Sequence, residues 1–158
     1  MGAERVSRSP VLQALPEQLA PAGETASSAV ADSATPPSAA GLLARARTLR
    51  SSGRYSAAAT AYQNLLSTHP RSSEANAALL SLAELQLSQL GQTAAALRSF
   101  DAYLAHGGSL AQEARYGRIR ALRRLGRTEE ARTATEAFLS AYPGSAQAKA
   151  LRKRSGAH

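Results

Sequence analysis

Gly53-Arg54-Tyr55-Ser56-Ala57-Ala58 returns twice along the chain, as Gly91-Gln92-Thr93-Ala94-Ala95-Ala96 and as Gly126-Arg127-Thr128-Glu129-Glu130-Ala131. A glycine and, five residues on, a small alanine hold their places each time. The glycines stand 38 and 35 residues apart, within the roughly 20–50-residue period of stacked supersecondary units. One unit, repeated three times, therefore organises the chain.

Around each glycine the punctuation is that of two helices joined by a tight turn. In the first unit Ser38 stands where an N-cap is wanted, and Leu42, Leu43, Ala46 and Leu49 follow at helical spacing. Gly53 can take the left-handed conformation that ends a helix. A second helix then carries Ala58, Ala61, Tyr62, Leu65 and Leu66, and Pro70 stops it. The second unit has a longer first helix, from Ser73 to Leu90, and its second helix places Ala96, Leu97, Phe100, Tyr103 and Leu104 on one face before Gly107-Gly108. The third opens on Ser109-x-x-Gln112, a capping-box spacing, restarts at Thr128 and closes at Pro143. A last helix from Ala146 to about Lys153, after Ser145, is rich in polar and basic residues and suits the terminal cap that such stacks need.

These residues carry a resemblance to the tetratricopeptide repeat family. Leu42-x-x-Arg45-Ala46-x-x-Leu49, Ala58-x-x-x-Tyr62 and Pro70 match its pattern well. Leu80-x-x-Ala83-Glu84-x-x-Leu87, Ala96-x-x-x-Phe100 and Gly108 match except at Glu84 and the missing proline. The third unit departs most, with Arg115, Arg118 and Ile119 early and Thr135 where an aromatic is usual, while Ala131, Phe138 and Pro143 hold. The resemblance implies a right-handed α-solenoid of three helix pairs with repeats over about 39–72, 77–110 and 112–145, and a capping helix over about 146–154. The Ala-rich units with His-Pro and Tyr-Pro endings further resemble bacterial cell-envelope members: the Tol-Pal-associated periplasmic protein, outer-membrane assembly lipoproteins, and repeat tails of anti-sigma regulators. That likeness implies a periplasmic or envelope location if a longer precursor exists, and a cytoplasmic one if the chain is complete as given.

Composition agrees with a thin, helical core. Hydrophobic residues make up 44% but aromatics only 4%, so alanine supplies close helix contacts and a few Leu, Tyr and Phe supply bulk. Residues 20–38 are mostly Ala, Ser, Thr, Pro and Gly without a periodic apolar face, so residues 1–38 read as a disordered arm and linker, with Ser9-Pro10 able to start one helical turn. No apolar run reaches the roughly 20 residues of a membrane span. Pro16 cuts the apolar stretch after Arg5 and Arg8 before it becomes a signal-peptide core, and Val6 stands where myristoylation needs Ser or Thr after Gly2. With no cysteine, disulfides, thiolate metal sites and cysteine nucleophiles are excluded.

Charge is the chemical signal. Residues 1–40 hold two basic and four acidic groups, whereas residues 41–158 hold 17 and 7. Arginine outnumbers lysine 17 to 2, a bias that GC-rich coding also produces. Arg115 to Arg127 contains six arginines and no acid. At about 100° per residue, Tyr116, Arg120, Arg123, Arg124 and Arg127 share one face, opposite Ala114, Ala121 and Leu125. The resemblance places the first helix of each unit along a concave groove, which would bring Tyr116, Arg120, Arg123 and Arg124 beside Ser81, Ser88 and Gln89, then Arg47 and Arg50. His69, His106 and His158 read as solvated turn residues without a metal or acid–base partner, and Glu129-Glu130 as favourable charges at a helix start. No spacing calls for a catalytic group, a cofactor or a metal. The expectation is a non-enzymatic scaffold binding a protein or peptide, an acidic or C-terminal one first, since guanidinium forks suit carboxylates. The alternative from a pI near 10.8 is nucleic acid or another anionic surface, with Tyr116 the only aromatic interleaved among the arginines for stacking.

Overall fold

The computed structural model describes residues 37–155. The Ser9-Pro10 turn, all of the arm and linker before Pro37, and His158 lie outside them. Among the described residues there are seven helices and no strand: α1 (Ala39–Ser51), α2 (Tyr55–Thr68), α3 (Ser73–Ser88), α4 (Thr93–His106), α5 (Ala111–Arg124), α6 (Thr128–Ala141) and α7 (Ala146–Ser155).

The three glycine turns share their backbone bonding. Gly53, Gly91 and Gly126 have φ of 74°, 64° and 69°, a region that costs other residues steric strain. After each, the residue two places on donates back across the glycine: Tyr55 N to Gly53 O, Thr93 N to Gly91 O and Thr128 N to Gly126 O, all at 2.9 Å. The first and third turns also close on bonds from Arg54 N to Leu49 O and from Arg127 N to Leu122 O. In the second, Gln92 N reaches one residue further back, to Gln86 O. That extra residue belongs to the longer α3, whose 16 residues exceed the 13 of α1 and the 14 of α5.

Caps follow local chemistry where a hydroxyl is available. Ser38, Ser72 and Ser145 accept from Gly41 N, Ala75 N and Ala148 N at 3.0–3.1 Å. Glu74, in the first turn of α3, has its carboxyl pKa held below the usual value by a backbone N–H and by the Ser73 hydroxyl. The Ser109-x-x-Gln112 capping box does not form. α5 begins at Ala111 with Leu110 at the cap position and no side-chain cap. The preceding Tyr103 hydroxyl takes the Leu110 N–H at 3.1 Å, and Gln112 turns to Gln147 of α7 at 3.0 Å.

Each helix packs on its sequence neighbour, and the first helices also meet across units, α1 with α3 and α3 with α5. No comparable contact joins α2 to α4 or α4 to α6. Closer approach on one side bends a two-layer stack toward that side, so α1, α3 and α5 form the inner layer of a solenoid. Tyr62 and Phe100 are fully buried, as their place after Ala58 and Ala96 suggests, and Phe138 does the same for the third unit.

Phe100 has a partner that sequence spacing alone does not reveal. A Cβ on Gly117, in the middle of α5, would lie 2.3 Å from the Phe100 ring. Glycine inside a helix costs about 1 kcal/mol relative to alanine; here it lets α5 settle onto the aromatic of the preceding unit. Phe100→Ala is expected to cost about 3–5 kcal/mol, and Gly117→Ala to destabilise as well despite its better helix propensity, both read as lowered thermal midpoints by circular dichroism. A Gly117→Ala protein that melts higher than wild type would show that the ring does not need this space.

Candidate functional site

The inner layer ends in a cavity of about 340 Å³ lined by Leu87 of α3, Tyr116, Arg120, Arg123 and Arg124 of α5, and Leu151 and Arg154 of α7. Helix α5 presents these four side chains together because they recur at three- and four-residue spacing, while Ala114, Gly117, Ala121 and Leu122 on its other side are buried. Leu87 and Leu151 are themselves buried, at 1% and 2% exposure, and make an apolar floor. Tyr116 is braced from behind. Its ring lies 6.1 Å from that of Phe138, which in turn lies 5.0 Å from Tyr142, both pairs tilted by about 50° as aromatic quadrupoles prefer.

The arginines differ in what already holds them. Arg120 pairs with Glu84 of α3 at 3.1 Å, Arg118 with Asp101 of α4 at 2.6 Å, and Arg127 with Glu130 of α6 at 2.5 Å. The stretch lacks an acid of its own, but neighbouring helices supply three, which corrects the expectation of an unneutralised run. The other three meet neutral groups. Arg115 lies over the Tyr142 ring at 5.8 Å, Arg123 donates to the Thr135 hydroxyl at 3.3 Å, and Arg124 donates to the Leu87 carbonyl. Thr135 thereby has a reason to replace an aromatic: its buried hydroxyl donates to Ala131 O at 2.6 Å and accepts from Arg123.

Of the residues singled out from sequence, Tyr116, Arg120, Arg123 and Arg124 are brought together here. Arg47 and Arg50 are exposed on α1, Ser81 is half-buried in α3, and Ser88 and Gln89 are exposed at its end; none of the five lines this cavity. Arg127 does not share the face: α5 stops at Arg124, so the helical projection no longer applies beyond it, and Arg127 is the N-cap of α6. Leu125, projected onto the same side as Ala114 and Ala121, departs for the same reason: those two are fully buried and it is 37% exposed. His106 is exposed, but His69 is half-buried and its Nε2 lies 3.0 Å from the Pro37 carbonyl, so it is not simply solvated. Glu129 and Glu130 do occupy the first turn of α6, and each also pairs with an arginine, Arg132 and Arg127.

Arg154 and Glu84 were missed. Arg154 lies in a segment read as a polar cap, although its run of basic residues was visible. Glu84 stands 36 residues before Arg120, close to the repeat spacing, so the period itself was the available signal. Among the described residues no group of three or more His, Asp or Glu could hold a metal, and no helix is long and apolar enough to cross a membrane.

Compared with known families, the chain matches models of the tetratricopeptide repeat twice, over residues 39–82 and over residues 87–146. It is a tetratricopeptide repeat protein. The two matches cover α1 through α6, and the break between them falls inside the lengthened α3. No curated protein matches the chain. Repeats of this type generally mediate protein–protein interactions and are typically non-enzymatic.

Arg123 and Arg124 each make one hydrogen bond, to a hydroxyl and to a backbone carbonyl, a small net gain, and like charges three and four residues from Arg120 on the same helix oppose folding. Replacing both Arg123 and Arg124 by Gln is therefore expected to move the thermal midpoint by no more than a few degrees. The comparison should be run at low and at high salt. Since the arginines' mutual repulsion is screened by added salt, the variant's advantage, or smaller deficit, should be greater at low salt.

Proposed function

We propose that this tetratricopeptide repeat protein binds an acidic peptide segment of a protein partner along its inner helix layer, with the arginine-lined cavity of the third unit as the anchor. The observation that carries this reading is the convergence of Tyr116, Arg120, Arg123 and Arg124 on one concavity with a buried leucine floor. Guanidinium groups present planar, paired donors that match carboxylate oxygens, and the apolar floor suits a side chain next to the acid. On this reading an extended partner would run from the cavity along the inner layer, past Ser81, Ser88 and Gln89 of the second unit toward Arg47 and Arg50 of the first. The chemistry is recognition rather than catalysis. The His-Pro and Tyr-Pro repeat ends support placing the protein with bacterial cell-envelope scaffolds of the same family.

The test is calorimetric titration of the whole chain with libraries of acidic peptides, wild type beside Arg120→Gln/Arg123→Gln/Arg124→Gln. Three lost charge-assisted contacts at about 1.5–3 kcal/mol each, not strictly additive, are comparable with the roughly 8 kcal/mol behind a micromolar Kd. The triple variant should lose most of the binding while keeping its helicity. Equal binding by both proteins would make the cluster a solvated face. Tight, strongly salt-dependent binding of a DNA or RNA duplex in place of peptide would favour the nucleic-acid alternative.

A further inference from the structure

We infer that the cavity between α3, α5 and α7 is a site for a doubly charged phosphate monoester carried on a peptide, with Arg154 of the terminal helix completing it. This rests on the peptide-binding reading above and specifies the group that enters the anchor. Four guanidiniums line the cavity, those of Arg120, Arg123, Arg124 and Arg154. Among the described residues no carboxylate lines the cavity, and of the four guanidiniums only that of Arg120 is in an ion pair, with Glu84. Three positive charges therefore surround one small space. A single carboxylate would neutralise one of them. A phosphate monoester brings about −1.5 to −2 charges at neutral pH and three terminal acceptor oxygens.

Donor geometry points the same way. A guanidinium has five N–H donors and no acceptor. Arg123 spends one on Thr135 and Arg124 one on the Leu87 carbonyl. Those bonds orient the two groups and leave most of their donors for a ligand. The lining is thus acceptor-poor: guanidiniums, a phenol and leucine methyls. Such a surface repels water-like ligands that must donate and favours one that only accepts. The volume, about 340 Å³, is at the low end for a ligand pocket of roughly 300–1,000 Å³, enough for one modified side chain and part of its neighbour against Leu87, Leu151 and Tyr116.

The experiment uses the full chain and three random-flank peptide libraries that differ at one fixed central position: phosphoserine, glutamate or serine. Affinity is read by fluorescence polarisation, with inorganic phosphate as competitor. Phosphoserine is expected to bind at least about tenfold more tightly than glutamate, serine least, and phosphate to compete. Because the second phosphate pKa is about 6, phosphopeptide binding should weaken between pH 7 and pH 5.5. Glutamate, with a pKa of about 4.3, stays ionised over that window and its binding should hold. Arg154→Gln, on the exposed face of a terminal helix, should fold normally and bring the phosphoserine preference down toward that for glutamate. Arg71→Gln, exposed between α2 and α3 and outside the cavity, should leave the preference intact.

Equal affinity for phosphoserine and glutamate, or an undiminished preference in Arg154→Gln, overturns this inference while the acidic-peptide reading stands. Binding of inorganic phosphate or of a nucleic-acid duplex without any peptide preference overturns it too. Failure of every peptide library overturns both readings.

Discussion

Contact between Phe100 and Gly117 governs where the second and third units meet. A stacked helix pair cannot bury its apolar face alone, so each unit depends on the next to complete its core. At this junction the aromatic of α4 projects onto α5, where only a missing Cβ leaves room for the ring. A side chain at residue 117 would push α5 outward and carry its arginine face away from α3. The Arg120–Glu84 pair and the Arg124 bond to the Leu87 carbonyl both span that same α3–α5 gap. Recognition chemistry on the inner layer is thus set by a packing contact behind it.

The same geometry explains why the third unit tolerates so much positive charge. Five uncompensated arginines on α5, with Arg127 just beyond its end, would destabilise the helix through like-charge spacing at three and four residues. Adjacent helices remove half the problem by offering Glu84, Asp101 and Glu130. The remaining three arginines lie against a phenol ring, a hydroxyl and a backbone carbonyl, groups that orient a guanidinium without cancelling its charge. What is left is a localised field at one end of the solenoid, where a cleft with low-dielectric walls can concentrate an anion.

Features governed by a few neighbouring residues were legible in the sequence: the glycine turns, the Ser38 and Ser145 caps, the Ala58–Tyr62 and Ala96–Phe100 pairs, and the four arginine-face residues that share the cavity. Those readings rest on helical spacing and turn stereochemistry, which need no tertiary knowledge. Errors began where a helix ended or another helix intervened. Leu125 and Arg127 were projected along a helix that stops at Arg124, and Ser109 lost its capping role because a tyrosine seven residues from Leu110 satisfied the first free N–H. Nothing in the helical spacing marks Gly117, because its reason, the Phe100 ring, lies on another element. Ion pairs between units sit near the repeat spacing, yet no local rule nominates Glu84 over any other exposed acid.

Arg154 shows why a terminal helix deserves a functional reading beside its structural one. The first duty of α7 is to cover the end of the core, which it does through Ala148 and Leu151, packed with Ile119 and Phe138. A helix carries several faces, however, and the residue three places after Leu151 lies on nearly the same side, one turn further along. Burying Leu151 against α5 therefore brings Arg154 to the rim of the arginine cavity. Because interactions in a solenoid are mainly between nearest neighbours, this placement depends on the third unit and the cap and little on the first. Changes in α1 or α2 should leave the cavity's geometry largely intact, whereas loss of the Leu151 contact would open one wall of it.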